Sequence, residues 1–157
     1  MSDLPSHTAL AAVLDHPHPY AQRVIAVASQ WVDTEWQRKE RIRLEAVAHG
    51  WTPQRWSAYA DAVLTTNTLA RSVDNVSLSK FRRALQDVDA PSPGQIIRAA
   101  RLCHAERLLR ETRLMVREVA RRAGYSSEKH FATRFGLAFG CSPSDYRRKQ
   151  TPGNPHE

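Results

Sequence analysis

One pattern occurs twice in this chain, fifty residues apart and without a gap, and it constrains the fold more than any other feature. Leu69-Ala70 stands where Val119-Ala120 stands, Asp74 where Gly124 does, Phe81 where Phe131 does, and Leu85 where Phe135 does. Ala90 answers to Gly140, Ser92-Pro93 to Ser142-Pro143, Ile96 to Tyr146, and Arg98 to Arg148. Each copy supplies what a helix-turn-helix needs. Ala70 or Ala120 is small where two helices cross, a turn follows, and the next helix has apolar residues four apart for the inward face. Gly124 takes a positive φ freely at the turn, and Asp74 is expected to do so less readily.

Helical periodicity runs through the rest, so the expected fold is all-α: two helix-turn-helix subdomains joined by a long helix, with additional N-terminal helices. Residues 1–19, with Asp15-His16-Pro17-His18-Pro19, read as a flexible N-terminal tail rather than a metal site, because no fourth ligand is evident. Residues 20–50 read as a helical extension. Val24, Val27, Ala28, Trp31 and Val32 form its apolar stripe, with a break expected near Gln37 to Glu40 and a stop at Gly50. Residues 51–93 form the first subdomain, opening with a helix from Pro53 to about Thr65. Its short helix is capped by Thr66 or Asn67, and the next is started by Ser77. Residues 94–111 are the linking helix, 112–150 the second subdomain, and 151–157 a flexible C-terminal tail. Leu44 to Trp56 also reads faintly as a further helix-turn-helix, although a helical hairpin packed on the core is the better reading. Trp31, Trp36, Trp51 and Trp56 are expected to anchor packing.

The charge follows the repeat. Residues 1–50 carry a net −1, while residues 51–157 carry +8. A positive field over the repeated units attracts polyanions by neutralising phosphates and releasing counterions. The inward pairs Phe81/Leu85 and Phe131/Phe135 leave polar groups on the other faces of the second helices. These are Ser79, Lys80, Arg82 and Arg83 in the first copy, and Glu128, Lys129, His130, Thr133 and Arg134 in the second. Arginine can bond guanine O6 and N7 together, which makes Arg82 and Arg83 the leading base readers. Arg134, Arg147 and Arg148 suit phosphates better.

Other chemistries lack support. Cys103 and Cys141 have no metal-ligand spacing, and no Ser/His/Asp set accompanies the Ser-Pro pairs, which read as helix caps. No cofactor is implied. The opening residues show no secretion signal and no apolar run approaches the ~20 residues of a membrane span, so a soluble cytoplasmic protein with no membrane partner is expected.

Arg101-Leu102-Cys103-His104-Ala105-Glu106-Arg107-Leu108-Leu109, Val116 to Tyr125, Phe131-Ala132-Thr133-Arg134-Phe135 and Gly140 to Arg147 resemble the DNA-binding domain of the AraC/XylS family of bacterial transcription regulators. The resemblance is close over Arg101 to Arg148 and loose over Thr66 to Arg98, where Asp74, Leu85 and Ala90 depart from the family's usual residues. It implies transcription regulation, usually activation, with two reading helices in adjacent major-groove segments of double-stranded DNA and RNA polymerase as a further partner. It places Ser79, Arg82, Arg83, Glu128, Lys129, His130 and Thr133 towards the bases. Residues 1–50 do not resemble the β-rich sugar-binding domain of many members, so the resemblance implies a short single-domain member with an extra N-terminal helical segment. Residues 20–50 are then a surface for a protein partner or for self-association. Two rival readings remain: a protein-interaction module with a degenerate DNA-binding domain, and a methyl-transfer repair enzyme, which needs an activated cysteine that neither thiol's setting provides.

Overall fold

The computed structural model describes residue 10, residues 12–50 and residues 62–150. The described residues form helices joined by short turns and loops, without a strand. Helix α1 spans Pro19–His49, α2 Thr66–Asp74, α3 Leu78–Asp87, α4 Pro93–Glu111, α5 Val116–Arg122, α6 Glu128–Phe139 and α7 Pro143–Gln150. Among the described residues no helix is long and apolar enough to cross a membrane.

Local chemistry sets the boundaries. Ser77, Ser92 and Ser127 each accept a backbone N–H from the first turn of α3, α4 and α6. Ser142 Oγ accepts from Asp145 N at 3.1 Å in α7. Each bond satisfies one of the orphan donors at a helix start. The cap of α2 is Thr65, one residue before those expected, because Thr68 completes a reciprocal capping box with it.

The left-handed turn residues differ between copies. Gly124 (φ 93°) and Gly140 (φ 77°) serve the second; in the first the positive φ falls on Asn75 (54°) and Asp89 (54°), not on Asp74 and Ala90. Asparagine and aspartate are the non-glycine residues that tolerate this region best. Asp74 stays within α2, where its carboxylate accepts from the Tyr20 hydroxyl (2.6 Å) and pairs with Arg23 of α1.

Two apolar clusters share α4. Leu69, Ala70, Phe81, Leu85, Ile96, Ile97 and Ala100 form the first, together with Leu64 and with Val24, Ile25, Ala28 and Val32 of α1. Ala99, Leu102, Ala105 and Leu109 of α4 join Val119, Ala120, Ala123, Phe131, Phe135, Phe139 and Tyr146 in the second. A boundary at residue 51 therefore falls within one core, since α1 supplies part of the first unit's interior.

Two expectations about the N-terminal half need correction. First, a flexible tail does not extend to residue 19. Leu10 is buried, Val13 and Leu14 pack against both clusters, His16 Nε2 lies 3.2 Å from Asp89 O, and His18 caps α1 by accepting from Tyr20 N. Second, α1 has no break at 37–40. Arg38 donates to Thr34 Oγ1 (2.6 Å) and Arg43 pairs with Glu40, so side chains one turn apart bridge the stretch. The segment Leu44 to Trp56 begins inside α1, which runs on to His49. Its remainder lies outside the described residues, as do Trp51, Trp56, most of the helix expected from Pro53, residues 1–9 and residues 151–157.

Candidate nucleic-acid interface

The reading helices are built as their spacing requires. Phe81 and Leu85 of α3 are fully buried, as are Phe131, Phe135 and Phe139 of α6. At 100° per residue, the face of α3 opposite its buried pair then belongs to Ser79 and Arg83, with Lys80 and Arg82 on its flanks. All four are exposed. On α6 the opposite face belongs to Lys129, Thr133 and, a turn further on, the exposed Leu137, with His130 and Arg134 on one flank. Glu128, Lys129, His130 and Thr133 are exposed and Arg134 is partly so. Thr133 Oγ1 donates to Lys129 O (3.0 Å), and Arg134 Nε points at His130 Nε2 (3.5 Å). The His130 ring meets Tyr125 edge-on at 5.8 Å, which fixes it against the turn.

The two arginines of α7 part company. Arg148 is exposed and pairs with Asp145, whereas Arg147 is partly buried and donates Nε to Leu109 O (3.1 Å) at the end of α4. Arg147 thus ties α7 to α4, a structural task that spacing alone did not reveal.

A buried charge centre holds both units to α1. Glu35, only 2 % exposed, accepts from Arg101 Nη1 (2.9 Å) and Nη2 (3.1 Å) and from Leu64 N (2.6 Å). Arg101 also donates to Ala123 O (3.2 Å) and Leu64 O (3.0 Å), so one guanidinium touches the approaches to α2 and to the second turn. Gly124 leaves room for that guanidinium. A Cβ there would stand 1.8 Å from Arg101 Nη1. Asp33 adds a parallel link from α1 to His104 (3.0 Å) and Arg107 (2.5 Å) of α4. The sequence reading missed this centre, though it carried a sign of it. Glu35 continues the stripe Val24, Ala28, Val32 at helical spacing, and a charge on a buried stripe demands a partner.

A cleft of about 360 Å³ opens between the units, lined by Gly94, Ile97 and Arg98 of α4, the turn at Gly124 to Ser126, and His130 and Arg134 of α6. Burial raises the pKa of the Tyr125 hydroxyl there, while Arg101, Arg98 and Arg134 pull it down. Three guanidinium groups therefore act on one phenol. The Cys103 thiol, half-buried on α4, is pushed up to about 11, mainly by burial, which disfavours a reactive thiolate.

Paired helix-turn-helix units on a shared helix define the class of protein. Residues 69–149, more than half the chain, match the family described as "Helix-turn-helix domain". The chain is 35 % identical over 74 residues to the HTH-type transcriptional activator RhaR of Mannheimia succiniciproducens, which is 47 % of this chain and 27 % of that one. It is 29 % identical over 106 residues to the RCS-specific HTH-type transcriptional activator RclR of Escherichia coli, 68 % of this chain and 32 % of that one. The matched regions thus span about a third or less of these curated relatives. The C-terminal domain of AraT, a response regulator from Geobacillus stearothermophilus, shares the fold with a TM-score of 0.56 at 23 % identity, over 85 % of this chain and 91 % of that one. The chain belongs to the AraC/XylS family of helix-turn-helix proteins.

Proposed function

We propose that this protein is a sequence-specific, double-stranded DNA-binding transcription regulator, an activator like the relatives named above, that inserts α3 and α6 into adjacent major-groove segments. One observation carries the reading: both helices bury their apolar face and leave exposed polar and cationic side chains opposite it, on units fixed to each other by α4. That helix is about 28 Å long at ~1.5 Å per residue. Major grooves recur along one face of DNA every ~34 Å. A spacer slightly under one turn favours a site that bends towards the protein. Ser79, Arg82 and Arg83 read one segment, and Lys129, His130 and Thr133 the other, with Glu128 beside them. Lys80, Arg134 and Arg148 hold phosphates, and RNA polymerase is the partner that activation would require. The rival protein-interaction reading rests on Leu44 and Val47, exposed near the end of α1, where a partner or second copy could dock.

Selection from a random duplex library tests the two directly. A motif in two parts about ten base pairs apart supports the proposal. Arg82→Ala and Arg83→Ala should then each weaken the first part, a base-reading arginine contributing roughly 1–3 kcal/mol of discrimination. Weak, sequence-blind binding beside a stable protein complex would establish the rival.

A further inference from the structure

We propose that the cleft between the units is a phosphate-binding site, in which Arg98 of α4 and Arg134 of α6 grip the DNA backbone that runs between the two major-groove segments. The inference rests on the duplex-binding reading and extends it to a residue outside both reading helices.

Charge is the first support. Among the described residues no carboxylate lines the cleft. Arg101, at its floor, is engaged by Glu35. Neither Arg98 nor Arg134 is in an ion pair among the described residues, and Arg98 is exposed. The repeat supplies a second support. Arg148, fifty positions on, pairs with Asp145 three residues before it. The residue three before Arg98 is Gln95, uncharged, and its side chain is already committed to the Ser92 N–H at 2.9 Å. The same place in the fold therefore carries a compensated charge in one copy and an open one in the other. The open one is the copy that faces the partner unit.

Location narrows the ligand. His130 and Arg134 stand on the flank of α6 beside its exposed Lys129 and Thr133 face, so a duplex seated on that face brings its backbone along this flank. The start of α4 at Gly94 opens into the same cleft and adds the partial positive charge of a helix N-terminus. A small phosphorylated molecule shares this chemistry. However, a cleft whose outer arginine is exposed suits a continuous polyanion better than an enclosed ligand.

The test uses the intact chain and the duplex it selects from a random library. Arg98→Ala and Arg134→Ala should each weaken binding to every sequence alike, leave the selected motif unchanged and lower the salt slope by about 1. Arg98→Lys should recover most of the loss, and circular dichroism should show all variants folded. Neutral methylphosphonates at the central phosphates should weaken the wild type more than they weaken Arg98→Ala, in which Arg134 alone still meets them. A selected two-part motif with unchanged affinity and slope in Arg98→Ala would overturn this proposal alone. Failure to select any motif would overturn the function reading with it. Thermal stabilisation by inorganic pyrophosphate without DNA, lost in Arg98→Ala and without any effect of the methylphosphonates, would assign the cleft to a free anion and overturn the backbone assignment.

Discussion

The two units share a plan and differ in what closes their cores. In the second, Phe131, Phe135, Phe139 and Tyr146 form a chain of rings, with Phe135 stacked on Phe139 at 4.3 Å and edge-on to Tyr146 at 5.4 Å. In the first, Leu85 and Ile96 replace two of those rings, and the apolar surface they lack comes from Val24, Ile25, Ala28 and Val32 of α1. The N-terminal helix therefore completes the first unit. The glycine-free turns fit this picture, because Asp74, standing where the second copy has Gly124, gives Arg23 and Tyr20 of α1 a carboxylate to hold.

The comparison is most exposed at Glu35, where α1 reaches both units. Glu35→Ala should destabilise the fold by about 3–5 kcal/mol, because it strands Arg101 as a buried charge without its carboxylate. Urea denaturation followed by circular dichroism measures it. Glu35→Met combined with Arg101→Met should recover part of the loss, since the apolar pair leaves no buried charge but takes from Leu64 N, Leu64 O and Ala123 O their side-chain partners. A loss below about 1 kcal/mol for Glu35→Ala would show that the cores alone bind α1 to α4.

Equivalent core positions give the next comparison. Phe135→Ala removes a ring that touches three others and should cost about 3–5 kcal/mol, against about 2–5 kcal/mol for Leu85→Ala. The first value should be the larger if α1 can settle into the space left in the first unit. Equal losses would mean that α1 is too rigidly held to do so. The turn residues separate backbone strain from crowding in a similar way. Alanine at Asn75 and at Gly124 meets the same left-handed penalty of about 1–2 kcal/mol. Gly124→Ala should exceed Asn75→Ala clearly, because its Cβ would also displace Arg101.

What could be read in advance was what is local. The Ser caps, the inward pairs of α3 and α6, and the long α4 follow from residues within a turn or two of each other, and the fifty-residue register tied the copies together. Long-range partnership was not legible in that way. Glu35 and Arg101 are 66 residues apart, so nothing in either neighbourhood names the other. The positive φ at Asn75 instead of Asp74 escaped notice because Asp74 is occupied by α1, a contact made only in the folded chain. Arg98 was visible as the counterpart of Arg148. Its open charge emerges only when Asp145 and Gln95 are compared at the same place in the fold.

The smallest effect concerns pH and belongs to the α1–α4 joint alone. Burial holds the His104 pKa below its ordinary 6.5, with Arg107 also lowering it and Asp33 opposing both. Because the folded value lies below the unfolded one, the unfolded chain binds the proton more readily as pH falls. The stability from keeping His104 neutral is therefore fully present above about pH 6.5 and is lost as pH drops through the folded value. The window between pH 7.5 and 5.5 brackets the ordinary imidazole value, and the other six histidines are common to the wild type and a His104 variant. The urea midpoint of the wild type should fall across that window more steeply than that of His104→Gln. A wild-type midpoint that is flat, or a variant that falls equally, would remove His104 from the joint and leave Arg107 as the partner that holds Asp33.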